Sequence, residues 1–399
     1  MTEWGRKWAP PITIESSMAK PALMTKKRSK REMDRPHIVI LAGGTASRNL
    51  TIVLIRQGAR VTRLVPAWDS GGSSKLIRET LHILPVGDIR QALMTMAYAE
   101  GHAGDVVRIF NARLSETGSP LELARELAFY SEGAHPVLRT MKCDIAEAIL
   151  RYLRIFIAAA GKGFDWRRGS IGNFILSGAL LAEDGDINAA ILAFRSLCGI
   201  SGNVWPVSKD HDLTLRAELN DRRRIEGQHL ITTMNDADAL AGIRAIALDG
   251  AAANPKAREA IAAADAIIYG PGSFHTSILP HLLVADIAET IARSAAPKIL
   301  IGNMLEDGET RGLTLDEMAE RLRRAGQGRP VLSHILAHEG AVPVARVVGA
   351  SRFVARASSS LPGVEILARD FEDPWHRGQH DAGLLSALIL HLIERSVRQ

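Results

Sequence analysis

Short apolar runs, amphipathic stretches and glycine turns alternate along the chain from Pro36 onward. The first apolar run, residues 37–42, has the length of a buried strand and is followed at once by glycines. A helical segment over about 47–57 and a second strand-like run over 60–65 come next. Strand, helix and strand in this order predict a βαβ unit with parallel strands. Both strands should therefore end at the same edge of one sheet.

The remaining pattern predicts how that sheet is completed. Residues from about 91 to 165 predict helices with short breaks, inserted between the two halves of the sheet. Alternation over 213–219, a turn at Asn220-Asp221 and the run 225–231 predict a hairpin, and short strands follow at 243–248, 265–269 and 297–301. We therefore expect an α/β protein: a Rossmann-like three-layer fold with a mostly parallel sheet, a helical insertion and a β-hairpin. Its domain should span 36–399, after a disordered basic tail over 1–35.

Three segments rich in small residues directly follow predicted strands. Backbone N–H groups at glycines can approach phosphate oxygens closely, and hydroxyls or a lysine add donors and charge. The three turns therefore predict a phosphate-bearing ligand, while the alternative is that they are tight turns and a mobile linker. The candidate ligand-binding residues are Gly43, Gly44, Thr45, Gly71, Gly72, Ser73, Ser74, Lys75, Gly270, Gly272 and Ser273.

Asp69 stands at the end of the second predicted strand, and its role has several interpretations. As a hard oxygen ligand it would hold Mg²⁺ bridging to a diphosphate, which makes it the candidate metal ligand and catalytic residue. In a dinucleotide interpretation it would instead bind a ribose, and a turn or capping aspartate is the plain alternative. Asp88, near the start of the next helix, is interpreted as an N-cap.

Three further polar residues fall where the predicted edge would bind a ligand. Asn173 opens a helix over about 175–182 and is predicted either to donate to a ligand or to cap that helix. His275 is predicted to hold a phosphate or to act in acid–base chemistry, with packing or solvent exposure as the alternative. Asn303 follows the strand at 297–301 and is predicted to reach the same ligand.

The distribution of charge limits the classes of partner. The formal net charge is +5, but residues 1–35 hold nine of the 49 Lys/Arg and four of the 44 Asp/Glu, so 40 of each remain in the rest of the chain. We therefore expect no nucleic-acid binding by the folded body. Two cysteines predict a reducing, cytoplasmic location, and the lack of an uninterrupted apolar span predicts no membrane insertion.

The glycine-rich motifs together resemble one known family, in order and in spacing, over residues 36 to 395. The motifs are Gly43-Gly44-Thr45, Asp69-Ser70-Gly71-Gly72-Ser73-Ser74, Gly87-Asp88-Ile89-Arg90, Gly172-Asn173, the run from Gly270 to Pro280 and His380-Asp381. They resemble the CofD/YvcK family. Its 2-phospho-L-lactate transferases move a phospholactyl group from a guanosine diphosphate donor to a deazaflavin alcohol with Mg²⁺. Its YvcK branch, which this chain resembles more closely, contains gluconeogenesis or cell-shape factors that bind UDP-sugars.

The resemblance implies two candidate functions. One is a phosphotransferase that moves a phospho-acyl group from a nucleoside diphosphate donor to a hydroxyl acceptor. The other is a non-catalytic regulatory factor that binds a UDP-sugar. In both, the partner is a nucleotide diphosphate or a nucleotide-sugar, and a homo-oligomer stays open. Trp68 stands beside Asp69 where the family usually has paired acids, so we expect a metal site with one carboxylate fewer.

A hydrolase is the weakest of the functions considered. His334 and His338 are four residues apart, as on one face of a helix, but no glutamate directly follows His334, so the pattern of a zinc hydrolase is absent. Solvent-facing or core histidines are the expected alternative.

Overall fold

A seven-stranded parallel sheet forms the centre of the computed structural model, which describes residues 35–101, 104–339, 353–355 and 361–398. The strand order is β10-β9-β8-β7-β1-β2-β3, and every pairing between neighbours is parallel. The strands are β1 (His37–Leu41), β2 (Arg60–Val65), β3 (Asn203–Pro206), β7 (Ala266–Tyr269), β8 (Lys298–Ile301), β9 (His334–His338) and β10 (Glu365–Arg369). The predicted α/β class with a mostly parallel sheet is confirmed.

The two halves of the sheet meet between β1 and β7. From β1 the chain proceeds through β2 to β3 on one side, and β7 to β10 extend the sheet on the other side. The order of the strands thus reverses at the β1/β7 pair, where Ile38 lies opposite Ala266 and Leu41 opposite Tyr269. Every residue of β1 and β7 is buried, as expected for strands covered by helices on both faces. In open parallel sheets, ligands bind at such a reversal, outside the carboxyl ends of the strands.

Helices occupy the connections between the strands. The helix α1 (Arg48–Arg56) connects β1 to β2. The long connection from β2 to β3 contains α2 (Gly72–Leu81), α3 (Gly87–Glu100), α4 (Gly104–Asn111), α5 (Pro120–Ser131), α6 (Pro136–Thr140), α7 (Cys143–Ala160), α8 (Ile171–Ala182) and α9 (Ile187–Cys198). The predicted helical insertion at about 91–165 lies in the middle of this run. The N-terminus of α5 is capped by Ser119 and Glu122, which form a capping box.

A small antiparallel sheet with strand order β5-β4-β6 follows β3. Its strands are β4 (Leu215–Leu219), β5 (Arg224–Glu226) and β6 (Ile243–Leu248). The predicted hairpin is therefore present, but its second arm is shorter than expected. Residues 228–232 form α10 (Gln228–Thr232) instead, after Gly227 with a φ of 101°. Glycine tolerates this left-handed φ, which allows the chain to leave the strand abruptly.

The remaining helices complete the two layers around the sheet. They are α11 (Asp236–Ala241), α12 (Pro255–Ala262), α13 (Ile287–Arg293), α14 (Leu315–Ala325) and α15 (Ala382–Arg398), with a π-helix over Phe274–Ile278 and a 3₁₀ helix over Leu279–Leu283. The segment after Gly272 thus becomes helical at Phe274. No helix among the described residues is both long and apolar enough to cross a bilayer. The basic tail predicted over 1–35 lies, except for Arg35, outside the described residues.

Candidate functional site

Two of the glycine-rich turns lie side by side at the reversal point of the sheet. Gly43 follows β1 and Gly270 follows β7, so the pairing of these strands brings both turns to one edge. Asn303, after β8, fixes the second turn: its Nδ2 donates to the Gly272 carbonyl at 2.9 Å and its Oδ1 accepts from the Gly272 N–H at 3.4 Å. The structure thus brings the first and third predicted segments together with Asn303.

A pair of half-buried carboxylates lies beside the first turn. Asp69 accepts the backbone N–H of Gly71 at 3.0 Å, and Asp88 accepts that of Gly44 at 2.9 Å. Burial raises the pKa of Asp69. Burial, and then the charge of Asp69, raise the pKa of Asp88 to about 7. These shifts are typical of two carboxyl groups that share a dry site and would be relieved by a cation.

Two glycines allow the backbone to approach these carboxylates. A Cβ atom on Gly44 would lie 2.7 Å from Asp88 Oδ1, and one on Gly87 would lie 2.6 Å from Asp69 Oδ2. Both distances are shorter than carbon and oxygen tolerate, so a side chain at either position would displace a carboxylate. Gly44 and Gly87 therefore hold the geometry of the pair.

Two buried arginines flank the pair. Arg63 donates to Thr51 Oγ1 at 3.2 Å and to the Gly43 carbonyl, so it holds the first turn in place. Arg90 Nε donates to Asn173 Oδ1 at 3.1 Å. Burial lowers the pKa of each arginine to about 10, so both stay protonated at neutral pH. Two positive charges thus oppose the two carboxylates, and they complete a polar centre beneath the turns.

Asn173 takes part in this centre but does not cap its own helix. Its Nδ2 donates to Ser73 Oγ at 3.0 Å, and the cap of α8 is Ser170, whose hydroxyl accepts the Asn173 N–H at 3.3 Å. Asn173 therefore connects Arg90 on α3 to Ser73 on α2. The predicted second glycine-serine loop is itself the first turn of α2, since the helix begins at Gly72.

A cavity of about 510 Å³ opens between the two glycine turns and the C-terminal region. Its floor is made of backbone and small side chains of both turns, and the segment from Gly378 to Leu385 forms its far wall. Thr45, Arg48, Asn49, Gly272, Ser273, Asn303, Asp307 and His380 supply the polar part of the lining. This volume is within the range of cavities that hold small organic ligands.

Lys75 lies elsewhere than predicted. It lines a second, smaller cavity of about 220 Å³ between α2 and the antiparallel sheet, and its Nζ is 3.8 Å from Glu79 Oε1. The reason is helical geometry: because α2 begins at Gly72, Lys75 projects from its first turn and lines a different cavity from the Gly43 turn. The prediction that Lys75 binds the diphosphate alongside Gly43 is therefore not supported.

His275 does not line either cavity. It is buried in the π-helix, with Nε2 3.0 Å from Arg321 Nη1, and burial together with the charge of Arg321 lowers its pKa to about 3. Its backbone N–H donates to Glu309 Oε2 at 3.1 Å. His275 is thus a neutral packing residue, and the prediction that it binds phosphate or moves protons is wrong for this arrangement. His334 and His338 are also not on a helix, because they belong to β9.

The expectation of a missing carboxylate is corrected by Asp88. Trp68 is fully buried, and its indole N–H donates to the Thr276 carbonyl at 2.8 Å, so its role is structural. The partner of Asp69 comes from the next helix instead: Asp88 has no side-chain hydrogen bond that caps α3, contrary to its interpretation as an N-cap. The sequence offered one signal, an aspartate that follows a glycine where a loop enters a helix.

The donor set fits Mg²⁺. Asp69, Asp88 and the Ser74 hydroxyl are hard oxygen ligands, and the pKa of Asp88 stays raised although Arg63 and Arg90 act on it. In the described part of the chain, no three His, Cys, Asp or Glu side chains gather into a metal-binding group. Mg²⁺ usually takes one or two carboxylates and completes its shell with water and substrate phosphates. Two carboxylates beside a phosphate-type turn meet that requirement.

Fold and candidate site together define an α/β protein with a cavity at the edge where the order of the strands reverses. Residues 38–357 match the family described as 2-phospho-L-lactate transferase CofD. This match covers most of the chain, which therefore belongs to the CofD family, as the motif resemblance predicted.

Its curated relatives are gluconeogenesis factors. A putative gluconeogenesis factor from Nostoc sp. is 32% identical over 309 residues, which make up 76% of this chain and 55% of the relative. The chain thus spans about half the length of that relative. The gluconeogenesis factor of Listeria monocytogenes is 29% identical over 69% of each chain. A crystal structure of a UPF0052 family protein from Bacillus halodurans superposes with a TM-score of 0.69 at 24% identity, covering 89% of this chain and 99% of that one, which supports the fold.

Proposed function

We propose that this protein binds a nucleoside diphosphate compound and transfers a phosphorus-containing group from it to a hydroxyl acceptor. The observation that carries the proposal is the carboxylate pair Asp69 and Asp88, set between the first glycine turn and the start of α2. The pKa of each carboxyl group stays raised although arginines lie nearby, and binding of Mg²⁺ and a diphosphate would stabilise the charged carboxylates.

The nucleotide would occupy the cavity of about 510 Å³, with its diphosphate against Thr45 and Ala46 of the first turn and Pro271 to Ser273 of the second. Thr45 and Ser273 line this cavity, and their backbone N–H groups would donate to phosphate oxygens. Asn303 holds the second turn in place through its two bonds to Gly272. Asp69 and Asp88 are the residues that would hold Mg²⁺, which when bound supplies charge neutralisation at the diphosphate.

In the reaction, the acceptor hydroxyl oxygen attacks the phosphorus that carries the transferred group. A new O–P bond forms, the bond to the bridging diphosphate oxygen breaks, and a nucleoside monophosphate leaves with that oxygen. The hydroxyl proton passes to an Asp69 oxygen, whose raised pKa favours protonation. Positioning and charge stabilisation do most of the work in such transfers.

Calorimetry and product analysis test the proposal together. Purified protein would be titrated with GDP, UDP, UDP-glucose and NAD, each with and without Mg²⁺, and nucleoside monophosphate release would be followed by phosphorus NMR with hydroxyl acceptors added. The proposal expects Mg²⁺-dependent binding of at least one nucleoside diphosphate compound. Binding of NAD alone would contradict it.

The alternative is a non-catalytic regulatory factor that binds a UDP-sugar. The names of the curated relatives favour it, since they describe gluconeogenesis factors and specify no reaction. This function needs the large cavity and the glycine turns but not the carboxylate pair. Tight Mg²⁺-independent binding of UDP-glucose that Asp69→Asn leaves unchanged, without turnover, would favour the alternative.

A further inference from the structure

We propose that the smaller cavity, of about 220 Å³, binds an anionic group of the acceptor, either a carboxylate or a phosphate, with Arg78 as its anchor. The identification of the ligand as an acceptor rests on the function proposed above. The cavity lies between α2 and the hairpin sheet and is lined by Trp68, Ser70, Lys75, Arg78, Thr214 and His229, among others.

Arg78 is the side chain that makes the cavity attractive to an anion. Its Nη2 donates to Thr214 Oγ1 at 3.3 Å, and within the described ranges its guanidinium forms no ion pair with a carboxylate. Arg216 on the adjacent strand shows the contrast, because it pairs with Glu226 at 2.8 Å and also with Asp249. A guanidinium with spare donors matches the planar, bidentate geometry of carboxylate and phosphate oxygens.

The two acidic residues that line the cavity already have cationic partners. Glu79 lies 3.8 Å from Lys75 Nζ, and Glu226 accepts from Arg216. Their charges are therefore compensated, while Arg78, whose charge also acts on Asp69, keeps guanidinium donors for a ligand. His229 contributes a ring at the same wall, where its backbone N–H donates to Ser70 Oγ at 3.0 Å.

The cavity lies next to Asp69 in the chain. Trp68 and Ser70, the neighbours of Asp69, both line it. A Cβ atom on Gly71 would lie 3.5 Å from both Asp69 Oδ1 and His229 Nδ1, so His229 in the wall of the cavity lies near the candidate catalytic carboxylate. In the proposal, a small compound anchored at Arg78 directs a hydroxyl toward Asp69. The ligand class is thus a small hydroxyl compound with one anionic group.

A matched pair of probes tests this site. Glycerol 3-phosphate and glycerol share their hydroxyl groups but differ in the anion, and inorganic phosphate carries the anion alone. Binding would be measured by ligand-detected NMR on the full chain, with and without saturating UDP and Mg²⁺. We expect glycerol 3-phosphate and phosphate to bind in both conditions and glycerol to bind at least tenfold more weakly.

Variants test whether the anion binds at Arg78. Arg78→Gln should weaken the binding of glycerol 3-phosphate tenfold or more, while the melting temperature and the affinity for UDP stay unchanged. The matched control is Arg108→Gln, which changes an exposed arginine on α4. Glu79→Gln should leave binding equal or stronger. If wild-type protein binds neither anion, or if Arg78→Gln binds as wild type does, the inference is overturned. Loss of UDP binding alone would contradict the proposed function but not this site, since the anion is also measured without nucleotide.

Discussion

The two cavities differ in the kind of group that lines them. The larger one is built from backbone amides, glycines and short polar side chains at the ends of β1, β7 and β8. The smaller one is lined by the long charged side chains of Lys75, Arg78 and Glu79 on α2. Backbone groups fixed by a buried sheet suit the invariant diphosphate of a nucleotide, whereas side chains on a helix suit a group that differs from one substrate to another. We call the larger cavity with its two glycine turns the rigid half of the proposed site, and the smaller cavity the adaptable half.

The largest expected effect comes from removing the carboxylate of Asp69, the candidate metal ligand and catalytic residue. Asp69→Asn should lower Mg²⁺-dependent turnover with a nucleotide donor by 100-fold or more, on the order of 3 kcal/mol, because charge stabilisation dominates phosphoryl transfer. Nucleoside monophosphate release under saturating donor measures it. Asp105→Asn, on the exposed first turn of α4, is the control. Unchanged turnover in Asp69→Asn would remove this residue from the mechanism.

Adding a methyl group at Gly44, in the rigid half, should reduce stability and nucleotide binding almost as strongly. In Gly44→Ala the added Cβ would meet Asp88 Oδ1 at 2.7 Å and Gln91 Cβ at 2.8 Å. We expect a loss of about 1–3 kcal/mol in the free energy of unfolding, together with loss of nucleotide binding.

The matched variant for that experiment is Gly104→Ala. A Cβ there would have no atom within 4 Å, so stability should hold or rise slightly. Denaturant unfolding and calorimetry give the two quantities. Equal behaviour of the two variants would contradict the close approach at Gly44.

The carboxylate pair makes metal binding depend on pH. Because the folded pKa of Asp88 is raised to about 7, the folded state retains a proton between about pH 4 and pH 7 that the unfolded state releases. This group therefore lowers stability as pH rises through that range, and Mg²⁺ must compete with the proton below pH 7. We expect the Mg²⁺ affinity to be about tenfold weaker at pH 6 than at pH 8.

Asp88→Asn is the variant that tests the origin of this dependence. It should remove this titration. Between pH 5 and pH 8 the wild type should lose on the order of 2–4 kcal/mol in the free energy of unfolding that the variant retains. Chemical unfolding at the two pH values measures the difference. A wild-type stability and a Mg²⁺ affinity that are both flat across this range would contradict an uncompensated carboxylate at Asp88.

The smallest effect is expected in the adaptable half. Lys75 and Glu79 are both exposed and lie 3.8 Å apart, so Lys75→Gln should change stability by no more than about 0.5 kcal/mol. Nucleotide affinity should also stay within twofold, since Lys75 does not line the larger cavity. Calorimetry with the nucleotide tests this, and a tenfold loss would return Lys75 to the diphosphate site.

Sequence reasoning succeeded where a single local pattern decides the structure. The residues of β2 and β6 have the predicted bounds, because apolar runs of this length between turn residues admit few other conformations. The meeting of the Gly43 and Gly270 turns also followed, since parallel strands end at one edge.

Sequence reasoning failed where contacts between residues distant in the chain determine what a residue does. Asp88 resembles a helix cap locally, and only the approach of Gly44 and Asp69 makes it half of a carboxylate pair. Arg63 lies within an apolar strand, and its bond to the Gly43 carbonyl depends on the pairing of two strands. His275 follows a glycine-rich turn in sequence, yet the π-helix turns it toward Arg321. These roles depend on residues distant in the chain, which one sequence does not reveal.

The most direct test of the central claim is a crystal structure with UDP or GDP and Mn²⁺, a scatterer that replaces Mg²⁺ and can be located by its anomalous signal. The account predicts an anomalous peak between Asp69 and Asp88, with the diphosphate against the Gly43 and Gly270 turns and the base in the cavity beside Asn303. A nucleotide bound there with no Mn²⁺ peak at the carboxylate pair, or a nucleotide bound elsewhere on the protein, would contradict it.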